Sequence, residues 1–262
     1  MLLTIDVGNT NTVLGLFDGD ALMHSWRVRT DGNETADEIA LKFRGLLADA
    51  PAITGVALCS TVPRVLREMR SVLSRYYGDV PHVIVEPGVK TGVPILTDNP
   101  KEVGADRIVN TLAAHVLYGG PAIVVDFGTS TNLDVVSAKG EFLGGALAPG
   151  IEISIDALAS RAAQLRKVEL VRPRAAIGKN TVEALQSGAL YGFAGQVDGL
   201  VRRISAELVG IDDGAAAAKQ VNVIATGGLA SIVVPESHTI THHDPDLTLH
   251  GLRLVWDRNL VG

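Results

Sequence analysis

Leu3-Thr4-Ile5-Asp6-Val7-Gly8-Asn9-Thr10 and Val124-Val125-Asp126-Phe127-Gly128-Thr129 share one pattern: an apolar run, an aspartate, an apolar residue, a glycine and then threonine. The two aspartates stand 120 residues apart, too far for a solenoid repeat and suited to two domains built alike. The stretch after each turn decides the fold. After Thr10 the chain reads Thr12 to Phe17, a turn at Asp18-Gly19-Asp20, and a second strand-like stretch from Ala21 to Val28. After Thr129 come Asn132 to Val136, a turn at Ala138-Lys139-Gly140-Glu141, and Phe142-Leu143. Both stretches read as strand, tight turn, strand, so each motif sits in an antiparallel hairpin. A Rossmann or P-loop site would pass from strand directly to helix. Neither signature is present: there is no Gly-x-Gly, and Gly178-Lys179-Asn180 lacks the earlier glycine and the Ser/Thr of a P-loop.

The 262 residues, 47% hydrophobic and 4% aromatic, suffice for one large core or two ordinary ones. The net charge of -6 arises from 29 acidic and 23 basic residues without long runs of one sign, so no nucleic-acid footprint is expected. A polyanionic substrate would then need bound cations. One cysteine, Cys59 in an apolar stretch, excludes an internal disulfide and reads as a buried, inert thiol in a reducing compartment. The chain meets Asp6 without a basic leader or cleavage site, and a cytoplasmic location is expected. Residues 108 to 125 lack Asp, Glu, Lys and Arg, but Asn110, His115 and Gly119-Gly120-Pro121 argue for a soluble helix and a buried strand. No membrane association is expected.

Helices are expected near 34 to 49, 63 to 77 and 99 to 118, with strands at 53 to 59 and 82 to 85. A long helix should run from 181 to 209, followed by a small-residue linker, Gly210 to Ala218, and a strand from Val221 to Ala225 ending on Thr226-Gly227-Gly228. Leu247 to Leu260 should form a closing helix near the domain junction. The expected domains are 1–118 and 119–262.

An aspartate at the end of a buried strand, with a glycine turn and hydroxyls after it, offers N-H donors to phosphate and a carboxylate to a cation. Taken singly, each motif reads better as an ordinary Asp-Gly turn. Two matched copies, with a third strand ending on Thr-Gly-Gly, favour a nucleotide clamp. The stretch Asn99-Pro100-Lys101-Glu102-Val103-Gly104-Ala105-Asp106-Arg107 resembles a helix start with Asn99 as cap, which places Asp106 about two turns in. Gly104 inside such a helix costs about 1 kcal/mol relative to Ala and suggests a close approach by a ligand or backbone. Alone, Asp106 reads as half of a surface ion pair. His242-His243-Asp244 reads as a solvated turn, because adjacent histidines point apart and no third ligand is suitably spaced. Arg64, Arg67 and Arg70 mark a solvent face.

Together with Gly144 to Gly150 and Gly178-Lys179-Asn180-Thr181, these motifs, in this order, resemble the type III pantothenate kinase family. The resemblance spans residues 6 to 228. It implies an α/β fold of two ribonuclease-H-like domains, of the acetate and sugar kinase, Hsc70 and actin superfamily, assembled as a homodimer. It also implies ATP-dependent phosphorylation of pantothenate, the first step towards coenzyme A. On the family's pattern, ATP would be held by Asp6, Val7, Gly8, Asn9, Thr10, Asn11, Thr12, Val13 and Thr129, with Asp6 near Mg²⁺. Asp126 would hold a monovalent cation, K⁺ or NH₄⁺. Asp106 would accept the substrate's proton, and Gly104, Ala105, Asp106, Arg107 and Thr181 would contact pantothenate. These roles suit an alcohol attacking a γ-phosphate, a reaction that needs alignment and charge neutralisation. Thr97 stands where family members often carry an aromatic substrate contact, so that packing is either weaker here or supplied by another residue such as Tyr191. Two alternatives stay open: a catalytically silent nucleotide-binding relative that assists transcription, and a kinase of another small hydroxy acid or sugar.

Overall fold

The computed structural model describes residues 1–161 and 168–260, which form two compact α/β units. The first comprises Met1–Val93, Asn99–Ala113 and the chain from Asp246 onward; the second comprises Pro94–Asp98 and Ala114–Pro245.

In the first unit, β1 (Leu2–Val7), β2 (Asn11–Asp18) and β3 (Ala21–Arg29) form an antiparallel meander. After α1 (Ala36–Leu46), β4 (Gly55–Ser60) joins parallel to β1; after α2 (Pro63–Tyr76), β5 (His82–Ile84) joins parallel to β4. The order is β3-β2-β1-β4-β5. Parallel neighbours need crossover connections, and α1 and α2 supply the helices within them. Thr35 caps α1: its hydroxyl accepts from Glu38 N–H while Glu38 Oε2 accepts from Thr35 N–H at 2.8 Å. Leu3, Ile5, Val56, Leu58, Phe43 and Met69 lie in one apolar core. Arg64, Arg67 and Arg70 fall on the exposed face of α2.

Next come α3 (Ala105–Tyr118) and a second meander, β6 (Ala122–Phe127), β7 (Ser130–Val136) and β8 (Phe142–Pro149). The chain continues through α4 (Ile151–Arg161), α5 (Thr181–Val209), α6 (Gly214–Ala218), β9 (Asn222–Thr226), α7 (Ala230–Val233), β10 (His242–His243) and α8 (Leu247–Leu260). The second sheet, read from β8, runs β8-β7-β6-β9-β10, with β9 parallel to β6 and β10 parallel to β9. It therefore repeats the first sheet strand for strand. The echo between the two Asp-x-Gly turns is the visible trace of that repetition. Ile123, Val125, Phe127 and Leu133 pack with Leu190, Val197 and Val201 of α5 in the second core. The bounds of α5 agree with the sequence expectation. Asn180 accepts from Glu183 N–H at 2.9 Å at its start, and Gly210, at φ +70°, closes its end in the left-handed region.

Four expectations need correction. The α-helix expected from residue 99 is only a 3₁₀ turn over Pro100–Glu102; α3 proper begins at Ala105, with the Gly104 carbonyl accepting from Ile108 N–H. Asp106 and Arg107 therefore lie in the first turn of α3, and Gly104 precedes the helix. The linker at 210 to 218 includes α6, because Asp213 Oδ1 caps Ala215 and Ala216 N–H at 2.9 and 3.2 Å ahead of an alanine run. His242 and His243 are an edge strand, and Asp244 beyond them is buried and accepts from the Tyr118 hydroxyl at 2.9 Å. Finally, α8 belongs to the first unit although it comes after the second in sequence. Glycines in that unit's sheet make room for it: a Cβ at Gly55 would lie 2.3 Å from Trp256, and one at Gly15 would lie 2.9 Å from Leu249.

Candidate active site

In the first unit, Asp6 is the penultimate residue of β1, with buried Val7 at its end. The chain turns through Gly8, Asn9 and Thr10, closed by Gly8 N–H donating to the Asn11 carbonyl at 3.0 Å. Asn9 and Thr10 are exposed at the tip, while Asn11, Thr12 and Val13 open β2. The Thr12 hydroxyl pairs with that of Thr30 at 2.9 Å, fixing the base of the turn against the end of β3. Strand register sets the flanks of Asp6: Val13 stands opposite it on β2 and Cys59 beside it on β4. The buried Cys59 thiol donates to Asp6 Oδ1 at 3.3 Å.

The first turn of α3 brings a second carboxyl into this region. Burial raises the Asp6 pKa to about 7, and the charge of Asp106 adds to the rise; the Cys59 hydrogen bond and the charge of Arg27 oppose it. Burial also raises Asp106 above its ordinary value, against the backbone N–H and guanidinium of Arg107 and its own backbone N–H. The Cys59 thiol is pushed up by burial and by both carboxylates, so it is a donor and not a nucleophile. Gly104 has a local reason: a Cβ there would lie 2.5 Å from Asp106 Oδ1. The glycine leaves space for the carboxylate to fold back over the helix start. Ala105 and Arg107, like Gly104 and Asp106, are partly buried.

In the second unit, Asp126 occupies the matching place on β6. Gly128 N–H donates to the Ser130 carbonyl at 3.0 Å, and the carbonyl of exposed Thr129 accepts from Gly150 N–H at 3.1 Å. That bond ties the turn to the start of α4. Gly150 is required by the approach, since a Cβ there would lie 2.2 Å from the Thr129 oxygen. The neighbours of Asp126 differ from those of Asp6: Asn132 stands opposite on β7 and Thr226 beside it on β9. Gly227, at φ +91°, comes next, and a Cβ on it would lie 2.4 Å from Asp126 Oδ1. Asn132 Oδ1 is buried and accepts no hydrogen bond from the described residues.

Thr181 is exposed in the first turn of α5. Its approach loop is tied to α5 itself: Lys179 N–H donates to Glu183 Oε2 at 3.0 Å, and a Cβ at Gly178 would lie 2.4 Å from Ala184 N. Thr97 falls in the second unit with its hydroxyl buried and unpaired. Tyr191, the suggested substitute for an aromatic there, packs against the second core. Sequence reasoning missed Cys59 and Asn132 as neighbours of the two aspartates. For Asn132 the hairpin loop length carried the signal, since it fixes register. Cys59 reaches Asp6 only through a crossover, which leaves no local mark.

The described residues contain no cluster of three or more His, Cys, Asp or Glu able to hold a metal, and no helix among them is long and apolar enough to cross a membrane. The first turn carries Asp6 with Asp106 in electrostatic reach, and the second carries Asp126 with Asn132 and Thr226 at its register positions.

The type III pantothenate kinase family model matches residues 2–203. Proteins named type III pantothenate kinase from Frankia alni and Salinispora arenicola are 70% and 67% identical to this chain, covering 99% of it and 100% of their own length. Among solved structures, a protein of Campylobacter jejuni described as of the Baf transcriptional activator family superposes with a TM-score of 0.61 at 16% identity, covering 98% of both chains. The ADPNP-bound activator of 2-hydroxyisocaproyl-CoA dehydratase from Clostridium difficile gives 0.51 at 12% identity, covering 98% of this chain and 94% of its own. At this identity these likenesses show a shared fold and nothing more. Near-full-length identity at this level settles membership: the chain belongs to the type III pantothenate kinase family.

Proposed function

We propose that the two matched turns divide the work of the family's reaction, ATP-dependent phosphorylation of pantothenate on the path to coenzyme A. The observation that carries this reading is that the first turn of α3 brings the Asp106 carboxyl within electrostatic reach of Asp6 in the first unit, where its charge adds to the effect of burial. Adjacent buried carboxylates are unfavourable without a compensating cation, so this donor set fits a divalent ion near Asp6. Bound there with ATP, Mg²⁺ would neutralise phosphate charge. Asp6 would hold that ion, and the turn from Val7 to Val13 would receive phosphate oxygens. Thr129 would contact ATP from the second turn, and Asp126 would hold K⁺ or NH₄⁺.

Asp106 accepts the proton of the pantothenate hydroxyl. Its raised pKa suits a group that must take up a proton near neutrality, and Gly104 leaves its carboxylate room to do so. Arg107 offers a planar, bidentate partner for the pantothenate carboxylate. Gly104, Ala105 and Thr181 complete the proposed substrate contacts.

A homodimer is the proposed assembly. Ile153 and Leu158 on α4, Leu147 on β8 and Val182 on α5 are exposed, and α4 and α5 border an apolar groove of about 250 Å³. Such a face is suited to a second copy. A cytoplasmic setting accords with the unpaired thiol of Cys59.

The test is ADP release with and without pantothenate, for wild type and Asp106→Asn. The expected result is pantothenate-dependent release, with kcat lower in the variant by roughly 10²–10⁴-fold and little change in the KM for ATP. No pantothenate-dependent ADP would overturn the reading. Undiminished turnover in Asp106→Asn would remove the proposed base.

A further inference from the structure

We propose that Asn132 supplies a second oxygen ligand, through Oδ1, to the monovalent cation held at Asp126; this rests on the reading of Asp126 as the cation site. Asn132 is the direct antiparallel partner of Asp126, and Thr226 is its parallel partner. Residues paired in register project to the same face of a sheet with Cβ atoms about 4.5–5.5 Å apart. The three side chains therefore make a row across β7, β6 and β9 in which one carboxylate lies between a carboxamide and a hydroxyl.

Asn132 Oδ1 has almost no exposure and no hydrogen-bond donor among the described residues. A buried carbonyl-type oxygen normally has a donor or a cation. Weakly hydrated monovalent cations are bound by groups of neutral oxygens in place of water. An amide oxygen beside a carboxylate meets that requirement, with one negative charge for one positive. Gly227 helps keep the carboxylate in the row, since its missing Cβ is the space that Asp126 Oδ1 occupies. The first unit provides an internal control. There the residues at the same two register positions are Val13 and Cys59, which offer no oxygen.

The experiment measures cation binding apart from catalysis. Wild type, Asn132→Leu, Asn132→Ala, Asn132→Asp and Asp126→Asn are titrated with KCl against choline chloride at constant ionic strength. The readouts are thermal stabilisation and Tl⁺ binding by ²⁰⁵Tl NMR, with circular dichroism to verify folding. Removing the amide oxygen in Asn132→Leu should weaken K⁺ and Tl⁺ binding by roughly tenfold or more, in the range typical of lost metal-site interactions. Asn132→Asp, which keeps an oxygen there, should bind at least as tightly as wild type. Asn132→Ala, which also removes the oxygen and has a smaller side chain than Leu, should weaken binding as Leu does, so a misfolded Leu variant would not spare the proposal. Wild-type affinity in the Leu or Ala variant, with binding lost in Asp126→Asn, would overturn the role of Asn132 and keep the cation site. Undiminished binding in Asp126→Asn would overturn the site reading itself.

Discussion

Asp6 and Asp126 occupy equivalent positions in two sheets of identical strand order, yet their neighbours differ at both register positions. Val13 and Cys59 flank the first; Asn132 and Thr226 flank the second. The hairpin loops also differ by one residue, since Val7 pairs with Thr12 whereas Phe127 pairs with Thr131. The first aspartate gains a second carboxyl from α3 and a single thiol donor. The second has two oxygen-bearing residues, Asn132 and Thr226, at those register positions. One duplicated scaffold has thus been given two electrostatic characters, and the strand neighbours supply the difference. A pair of acids suits a divalent ion and a proton transfer, whereas one acid among neutral oxygens suits a monovalent ion.

The largest effect is expected from Asp6→Asn, which removes the proposed divalent ligand and should lower kcat/KM by roughly 10²–10³-fold or more. The same change should stabilise the unliganded protein at pH 8. The folded protein holds the Asp6 proton more tightly than the unfolded chain does, with a pKa of about 7 against 3.8. Its contribution is therefore favourable at low pH and is lost as pH rises through that window. The groups around it that set this value are Asp106, Cys59 and Arg27. Allowing for partial exposure, the gain on removing the charge is on the order of 2–4 kcal/mol. It is read from chemical denaturation at pH 5 and pH 8, and should be larger at the higher pH. For wild type, the KM for Mg·ATP should fall as pH rises through about 7, where Asp6 becomes ionised.

Gly227→Ala probes the other aspartate. Its positive φ and the 2.4 Å approach of a Cβ to Asp126 Oδ1 should cost about 1–3 kcal/mol of stability. Its K⁺ response should weaken while its Mg²⁺ response stays near wild type. An unchanged K⁺ midpoint would show that Asp126 does not depend on that space. The smallest effect is expected from Cys59→Ala, which removes one donor to Asp6. An increase of about fivefold in the KM for Mg·ATP, the equivalent of ~1 kcal/mol, is expected. Cys59→Ser should recover it by restoring the donor.

The parts legible in the sequence were those written locally. Each hairpin showed as strand, turn, strand around the Asp-x-Gly motif, and α5 was bounded by the Asn180 cap and Gly210. The start of α3 is obscured because Asn99-Pro100-x-Glu102 imitates a helix cap, while the actual start at Gly104 has no capping side chain. The glycine is explained by Asp106 folding back, a contact that spacing alone does not reveal. The attachment of α8 was hidden for a similar reason, since it depends on Gly15 and Gly55 opening the sheet for Leu249 and Trp256. Resemblance pointed to the acid residues. Register was needed to find what flanks them, and for Cys59 and Thr226 that register is set through long crossovers.

The most direct test of two differently built cation sites is a crossed titration of steady-state pantothenate phosphorylation, with K⁺ varied at saturating Mg²⁺ and Mg²⁺ varied at saturating K⁺. Wild type, Asp6→Asn and Asp126→Asn are compared, at high enzyme concentration for the slow variants. Asp126→Asn should shift the K⁺ midpoint and leave the Mg²⁺ midpoint in place, whereas Asp6→Asn should do the reverse. A shift of the same midpoint by both variants would contradict the assignment of separate cations to the two turns.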